Sequence, residues 1–304
     1  MSNSSVCLSF VFNHQFEENI TTLRSIYGKR FSSIYFLSPF SDWNQNKEII
    51  PIFETSVHFQ GYFAQAYSYL PKDYDYYAFC ADDLFLNPNL NEENLIEKLA
   101  CENSGYIKYL NPVWKHSFAW HKFEECNFFP SKENMVPYQQ FLPTRENLLR
   151  KYSSHGFHYS NLGVHNFYGV HQKEISTIRL LSGAKFFLRR GFKRFVNYPL
   201  IEGYSDLVVI PNKNLKEFCF YCGVFAAMNL WVDAAVATSL VLSCEKVVDE
   251  KNSGLHGREI WSKEELNNFS VSRGWNLEEL ENSMDPEELY VHPIKLSKWS
   301  KPGN

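Results

Sequence analysis

Tyr76-Tyr77-Ala78-Phe79-Cys80-Ala81 is aromatic or small at every position, and Asp82-Asp83 follow it at once. The run reads as a buried strand that ends in two adjacent carboxylates. In an open α/β sheet, ligands bind outside the carboxyl ends of the strands. Two acids there, with a loop beginning immediately, suit a hard divalent cation that carries phosphate oxygens. An acidic turn closing the strand is the competing explanation, so the surrounding pattern has to decide.

That pattern alternates. Val6–Phe12 reads as a first strand, ending at Asn13-His14. Glu17–Tyr27 has helical spacing at Ile20, Leu23 and Ile26, and Gly28 closes it. Ser33–Leu37 and Pro51–Phe59 read as strands, Gln60–Leu70 as a helix, and Tyr76–Ala81 as the fourth strand. Alternation of this kind implies a mostly parallel sheet with helices on both faces. It sets the acids on the same sheet end as Asn13 and His14.

Beyond residue 110 the pattern weakens. Trp114–Val170 is rich in His, Trp, Tyr, Pro and Asn, the texture of a loop-rich region beside a sheet edge where a pocket forms. Glu174–Leu188 has helical spacing, with a break expected at Ser182-Gly183. Asp206–Pro211 reads as a short buried strand and Asn214–Cys244 as one long apolar helix or two. Helices follow at Lys263–Phe269 and Leu277–Met284, and Pro286, Pro293 and Pro302 predict an irregular end. The expectation is a single domain over residues 1–304, with a ligand-binding half at 1–110 and a second half at 111–304.

Net charge narrows the partners. At −4 the chain is not a general nucleic-acid binder. Aromatic residues reach 17%, which suits sugar-stacking surfaces and equally fills cores. No signal peptide is apparent between Met1 and Asn13. The most apolar stretch, Gly223–Leu242, is interrupted by Asn229 and Asp233, so it reads as a buried helix rather than a membrane span. Seven scattered cysteines, mostly in apolar runs, read as reduced, packed thiols, which points to the cytoplasm. Cys219 and Cys222 have half-site spacing, but no second pair accompanies them.

Three further clusters carry chemistry. His256 and Arg258 stand in Gly254-Leu-His-Gly-Arg258, where flanking glycines let backbone approach closely. Asp233 lies in an otherwise apolar helix, where a lone carboxylate is costly unless paired or facing a cavity. Glu202 and Asp206 bracket Tyr204-Ser205. Lys185-Phe-Phe-Leu-Arg-Arg-Gly-Phe-Lys-Arg194 mixes cations with aromatics and could rest on an anionic membrane surface. Walker, dinucleotide, nucleophile-elbow and zinc-finger spacings are missing from the sequence.

The parallel sheet, Ala81-Asp82-Asp83 at the fourth strand and the later aromatic region together resemble glycosyltransferases of the GT-A fold, a Rossmann-related α/β architecture. The resemblance covers residues 1 to about 110, and the rest only by scattered motifs. It implies an x-Asp-Asp motif holding Mn²⁺ or Mg²⁺ against a nucleotide-sugar diphosphate, with UDP the expected nucleotide. Asp83 would then be the main metal ligand, Asp82 a second ligand or sugar contact, and His256 a late additional ligand. Asn13, His14 and Arg258 would bind the nucleotide. Asp233 is the first expectation for the base of an inverting transfer, with Asp206 and Glu202 in reserve. The implied reaction moves a hexose to a glycan or lipid-linked acceptor in surface-polysaccharide assembly, in the cytoplasm or at the inner face of the membrane. The competing class is a non-catalytic glycan- or nucleotide-binding module, because the motif has two acids where some relatives have three. A nucleotidyltransferase would open with a Gly-rich loop after strand one, and Asn13-His14-Gln15-Phe16 is not one.

Overall fold

The first apolar run becomes a strand buried at all its positions, Val6–Val11. The computed structural model describes residues 5–15, 18–41, 47–127, 138–168, 177–190 and 198–300. The expected helical start at 174–176 and the end of the basic stretch, 191–194, lie outside that set. Twelve strands fall among the described residues. They are β1 (Val6–Val11), β2 (Ser33–Pro39), β3 (Ile49–Ile52), β4 (Tyr76–Ala81), β5 (Phe85–Leu86), β6 (Gly105–Ile107), β7 (Asn111–Pro112), β8 (Ile201–Glu202), β9 (Leu207–Pro211), β10 (Val247–Val248), β11 (His256–Glu259) and β12 (Glu288–His292).

Seven of them make a central sheet in the order β10-β6-β9-β4-β1-β2-β3. β1 sits between β2 and β4, parallel to both, and β3 extends the parallel set beyond β2. The fold is therefore α/β around a large, mostly parallel sheet. Its alternate residues face two apolar layers. Cys7, Tyr77, Phe79 and Val208 join helices Gln60–Ala66, Asn212–Ala227 and Val232–Ser243 on one side. Leu8, Phe10, Ala78 and Val209 join helix Glu18–Tyr27 on the other. Strands covered on both faces need near-continuous apolar sequence, which β4 has throughout and β1 at every position but Ser9.

Several elements depart from expectation. The third strand ends at Ile52, because β2 runs out of partners at Pro39, which pairs with Ile52; a 3₁₀ turn (Ser56–His58) follows. β9 comes from the second half of the chain and runs antiparallel between β4 and β6. The two halves thus share one sheet. Helix Thr177–Arg190 continues through Gly183. There the phenyl ring of Phe167 lies where a Cβ would be only 2.2 Å away, so glycine serves close packing rather than a break. The long apolar segment is two helices, Asn212–Ala227 and Val232–Ser243, parted at Asn229. Asn229 takes φ 51°, the left-handed conformation that asparagine tolerates better than most residues. Between Pro286 and Pro293 the expected irregular end is a strand, beyond Pro293 the chain is coil with a 3₁₀ turn (Leu296–Lys298), and Pro302 lies outside the described residues. β12 pairs in parallel with β11 and antiparallel with β5 to make a second, three-stranded sheet. All seven cysteines are buried and free.

Candidate functional site

Parallel pairing sets Val11 of β1 beside Ala81 of β4, so both strands end on the same side of the sheet. A cavity of about 340 Å³ opens there, with Asn13, Asp83, Ser205, Asp206, His292 and Pro293 in its wall.

The acidic pair divides at this edge. Asp82 is 1% exposed and faces inward. Its amide donates to Val11 O at 3.1 Å, and its carboxyl accepts from the Asn13 backbone and the Asn19 side chain. Oδ1 has no partner among the described residues. Burial first, and the neighbouring Asp83 charge second, push this carboxyl up to about 7. Asp83 turns the other way, into the cavity. The two acids occupy the turn that closes β4, where the Leu84 amide donates to Ala81 O at 3.1 Å, and this turn sends one carboxyl under the sheet edge and the other into the cavity.

The next residues deliver a group that the sequence reading missed. β5 starts two positions after Asp83 and pairs antiparallel with β12, Phe85 opposite Val291. The following residue, His292, therefore reaches Asp83, its Nε2 3.0 Å from Asp83 Oδ1. The Ile294 amide also donates to Asp83 O. The signal was the short apolar run Leu289-Tyr-Val291 ahead of His292-Pro293, which reads as a strand only once its partner is known.

On its other nitrogen the His292 ring meets two groups. The Tyr204 hydroxyl is 2.7 Å from Nδ1, and Asp206 Oδ2 is 3.6 Å away. With Nε2–H donating to Asp83, Nδ1 of the neutral ring accepts from Tyr204. Burial opposes charge on the ring, but the Asp83 hydrogen bond and the Asp206 carboxylate together raise its pKa above the ordinary histidine value. Asp206 is itself raised, by burial, with His292 pulling the other way. Trp261, also unforeseen, is 79% exposed and sets its ring edge-to-face on Tyr204 at 6.0 Å.

Asp233 occupies the first turn of helix Val232–Ser243 rather than a helix interior. Its Oδ1 accepts from Ser205 Oγ at 2.5 Å, and Ser205 lines the cavity. Burial, then the Asp206 and Glu202 charges, raise this carboxyl to about 7 against the Ser205 hydrogen bond. Glu202 is buried and committed, 3.1 Å from both Asn111 Nδ2 and His116 Nε2. The His116 ring stacks on Trp120 at 4.3 Å, and Trp120 meets Trp231 edge-to-face at 5.2 Å. These rings lie in and beside the segment expected to be loop-rich and aromatic.

His256 and Arg258 are not brought to the cavity. In the β11–β12 register His256 pairs with Glu288 and Glu259 with His292, so His256 occupies the far end of the strand pair. At about 3.3 Å per residue that is on the order of 10 Å along the strand. Arg258 Nε is 2.6 Å from Glu288 Oε1, an ion pair outside the cavity wall. Asn13 lines the cavity, while His14 is exposed and hydrogen-bonded to the Asn13 side chain.

The cavity is acidic. Asp83 and Asp206 face it, and among the described residues its wall includes no Lys or Arg. Lys108, the nearby cation over the Tyr204 ring, is held by Glu259 and stands 3.7 Å from Glu250. An anionic ligand would meet like charge here unless a cation came with it. The two carboxylates facing this space are donors suited to Mg²⁺ or Mn²⁺, while His292, with both ring nitrogens hydrogen-bonded, orients Asp83. Among the described residues no group of three or more His, Cys, Asp or Glu is arranged to hold a metal ion by itself. Remaining ligands would have to come from phosphate and water.

No protein-family model and no curated protein matches the chain. Among solved structures it is similar to the apo structure of the bifunctional glycosyltransferase WbbM, with 12% identity and a TM-score of 0.39 over 95% of this chain. The match spans 46% of the WbbM chain. It is also similar to the mannosyltransferase Ktr4p from S. cerevisiae, with 11% identity and a TM-score of 0.36 over 83% of this chain and 68% of that one. Likenesses this distant carry no weight for activity, which must rest on the cavity.

Proposed function

We propose that the chain is a glycosyltransferase that moves a sugar from a nucleotide sugar, in the first instance a UDP-hexose, to a glycan or lipid-linked acceptor with the help of Mn²⁺ or Mg²⁺. One observation carries the reading: Asp83, His292 and Asp206 converge on a cavity at the carboxyl ends of β1 and β4, and the described residues of its wall offer no Lys or Arg. A diphosphate and an acidic pocket are compatible only through a divalent cation. A cation held there supplies Lewis-acid stabilisation of the departing nucleoside diphosphate.

The residues then divide the work. Asp83 is the first candidate to hold the cation and Asp206 the second, and His292 orients Asp83 through Nε2. Tyr204 fixes the His292 ring through Nδ1, and Asp82 anchors the β1 loop that carries Asn13. Asp233 takes the proton from the acceptor hydroxyl. The acceptor oxygen bonds to the anomeric carbon as the bond from that carbon to the diphosphate oxygen breaks. A carboxyl held near 7 suits a general base at neutral pH, because it is substantially ionised yet still basic. Asp206 is the alternative base. Glu202 is tied to Asn111 and His116, and supports the aromatic side of the site.

The hydrogen bond between Asp83 and His292 favours a second reading, a nucleotide- or glycan-binding module in which the pair is permanently closed. Calorimetry separates the two. The transferase reading expects UDP affinity to rise on adding Mn²⁺, and nucleotide-sugar turnover to depend on it. Affinity for UDP that is the same with and without Mn²⁺, and also in Asp83→Ala, would sink the metal-assisted reading.

A further inference from the structure

The helix Thr177–Arg190 carries an outward face that the cavity does not use. Leu180, Leu181 and Leu188 are 51%, 66% and 72% exposed. With Ala184, also exposed, they fall within an arc of about 100° at helical spacing. The inward face is fixed independently: Gly183 is buried against Phe167, whose ring meets Phe118 at 5.2 Å. The leucines therefore cannot turn inward without unseating the glycine contact. Three large aliphatic side chains in water on one short helix are costly unless something covers them.

Charge indicates what covers them. From Ile175 to Ile201 the sequence has Arg179, Lys185, Arg189, Arg190, Lys193 and Arg194 and no Asp or Glu, although the whole chain is net −4. Lys185 is exposed beside the leucine face. An apolar arc with Lys185 beside it, in a segment whose charged residues are all basic, matches a surface that is apolar inside and anionic at its boundary, which is a lipid leaflet containing acidic headgroups. No described helix is long and apolar enough to cross a membrane, so the contact would lie in the interface plane. We propose that this helix docks the protein onto an anionic lipid surface, with Leu181 and Leu188 inserted and Lys185 at headgroup level. The inference stands apart from the reading of the cavity.

The test is co-sedimentation of the full chain with vesicles of phosphatidylcholine alone or mixed with phosphatidylglycerol. Binding is expected to the mixed vesicles only, and to weaken as salt rises from about 0.1 to about 1 M, where the Debye length shrinks to about 3 Å. Leu181→Asp combined with Leu188→Asp should lower vesicle partitioning at least about tenfold, since each removes an inserted side chain. Lys185→Glu should lower it by a smaller factor, on the order of fivefold. All three positions are exposed, and an unchanged thermal midpoint establishes that the variants fold. Failure to bind phosphatidylglycerol vesicles overturns the proposal, as does binding that the double leucine variant retains. A dimer in light scattering that the leucine variant dissociates would also overturn it, by assigning the face to a second copy of this chain.

Discussion

Two sheets meet at the cavity, and they contribute in different ways. The central sheet brings Asp83 and Asn13 on parallel strands buried on both faces, in segments whose apolar runs and intervening helix are visible in a local window of sequence. The three-stranded sheet brings His292 through the pairing of β12 with β5, residues more than 200 positions apart. The first arrangement can be read from periodicity because parallel strands under helices require it. The second depends on which short strand finds which partner, and a two-residue strand such as β5 has almost no sequence signature. A site shared by the two is half legible for that reason.

The most decisive break in this comparison is Asp83→Ala, expected to reduce nucleotide-sugar turnover by about 10³-fold or more. The fold should persist because the side chain is partly exposed. Turnover within a factor of a few of wild type would remove the central sheet's acid from the chemistry. Asp233→Asn should lower kcat by about 10²- to 10⁴-fold while UDP affinity in calorimetry stays unchanged. A loss of affinity instead of kcat would move Asp233 from proton transfer to binding.

The two histidines of the small sheet sharpen the contrast further. His292→Ala should cost about 10- to 100-fold in Mn²⁺ affinity or activity. His256→Ala, at the far end of the same strand pair, should stay within about twofold, a change typical of an exposed position. Equal effects would mean that the β11–β12 register does not separate them as described.

Smaller effects test stability. Asp82 in the folded chain titrates near 7, above its unfolded value, so the folded state binds the proton more tightly. That contribution is fully present below about pH 4 and is lost as pH rises through about 7. Urea midpoints of the metal-free protein should therefore show an Asp82-dependent fall between pH 5 and pH 8, flattened in Asp82→Asn; an unchanged slope in that variant would place the titration elsewhere. Gly257→Ala should destabilise by about 1–3 kcal/mol, because a Cβ there would stand 2.1 Å from the Tyr290 ring. An unaffected melting curve would show that β11 and β12 can part at no cost.

Parts of the site show where sequence reading stops. Ala81-Asp82-Asp83 was placed at a strand end from the apolar run before it, and the structure ends β4 at Ala81. That the two acids face opposite ways, one under the β1 loop and one into the cavity, needed the surrounding elements. Asp233 was singled out as a carboxyl in an apolar stretch. Its position in a first helical turn, 2.5 Å from Ser205, follows from the break at Asn229, which composition alone left as one helix or two. His256 was picked for its glycine neighbours, but Gly257 makes room for the Tyr290 ring and belongs to strand packing. Pro293 marks irregularity in the sequence and does end a strand in the structure, but the strand before it, which delivers His292, is not legible in the sequence.

The sequence by itself determined the α/β class, the buried fourth strand and the acids at its tip. Those features rest on local burial patterns, and a run apolar at every position has few ways to be satisfied. The tertiary structure decided that β9 enters the sheet antiparallel, that Asp83 rather than Asp82 faces the cavity, and that His292 rather than His256 stands beside it. Each of these turns on hydrogen-bond pairing between segments far apart in the chain, where a shift in register or partner changes which side chain arrives.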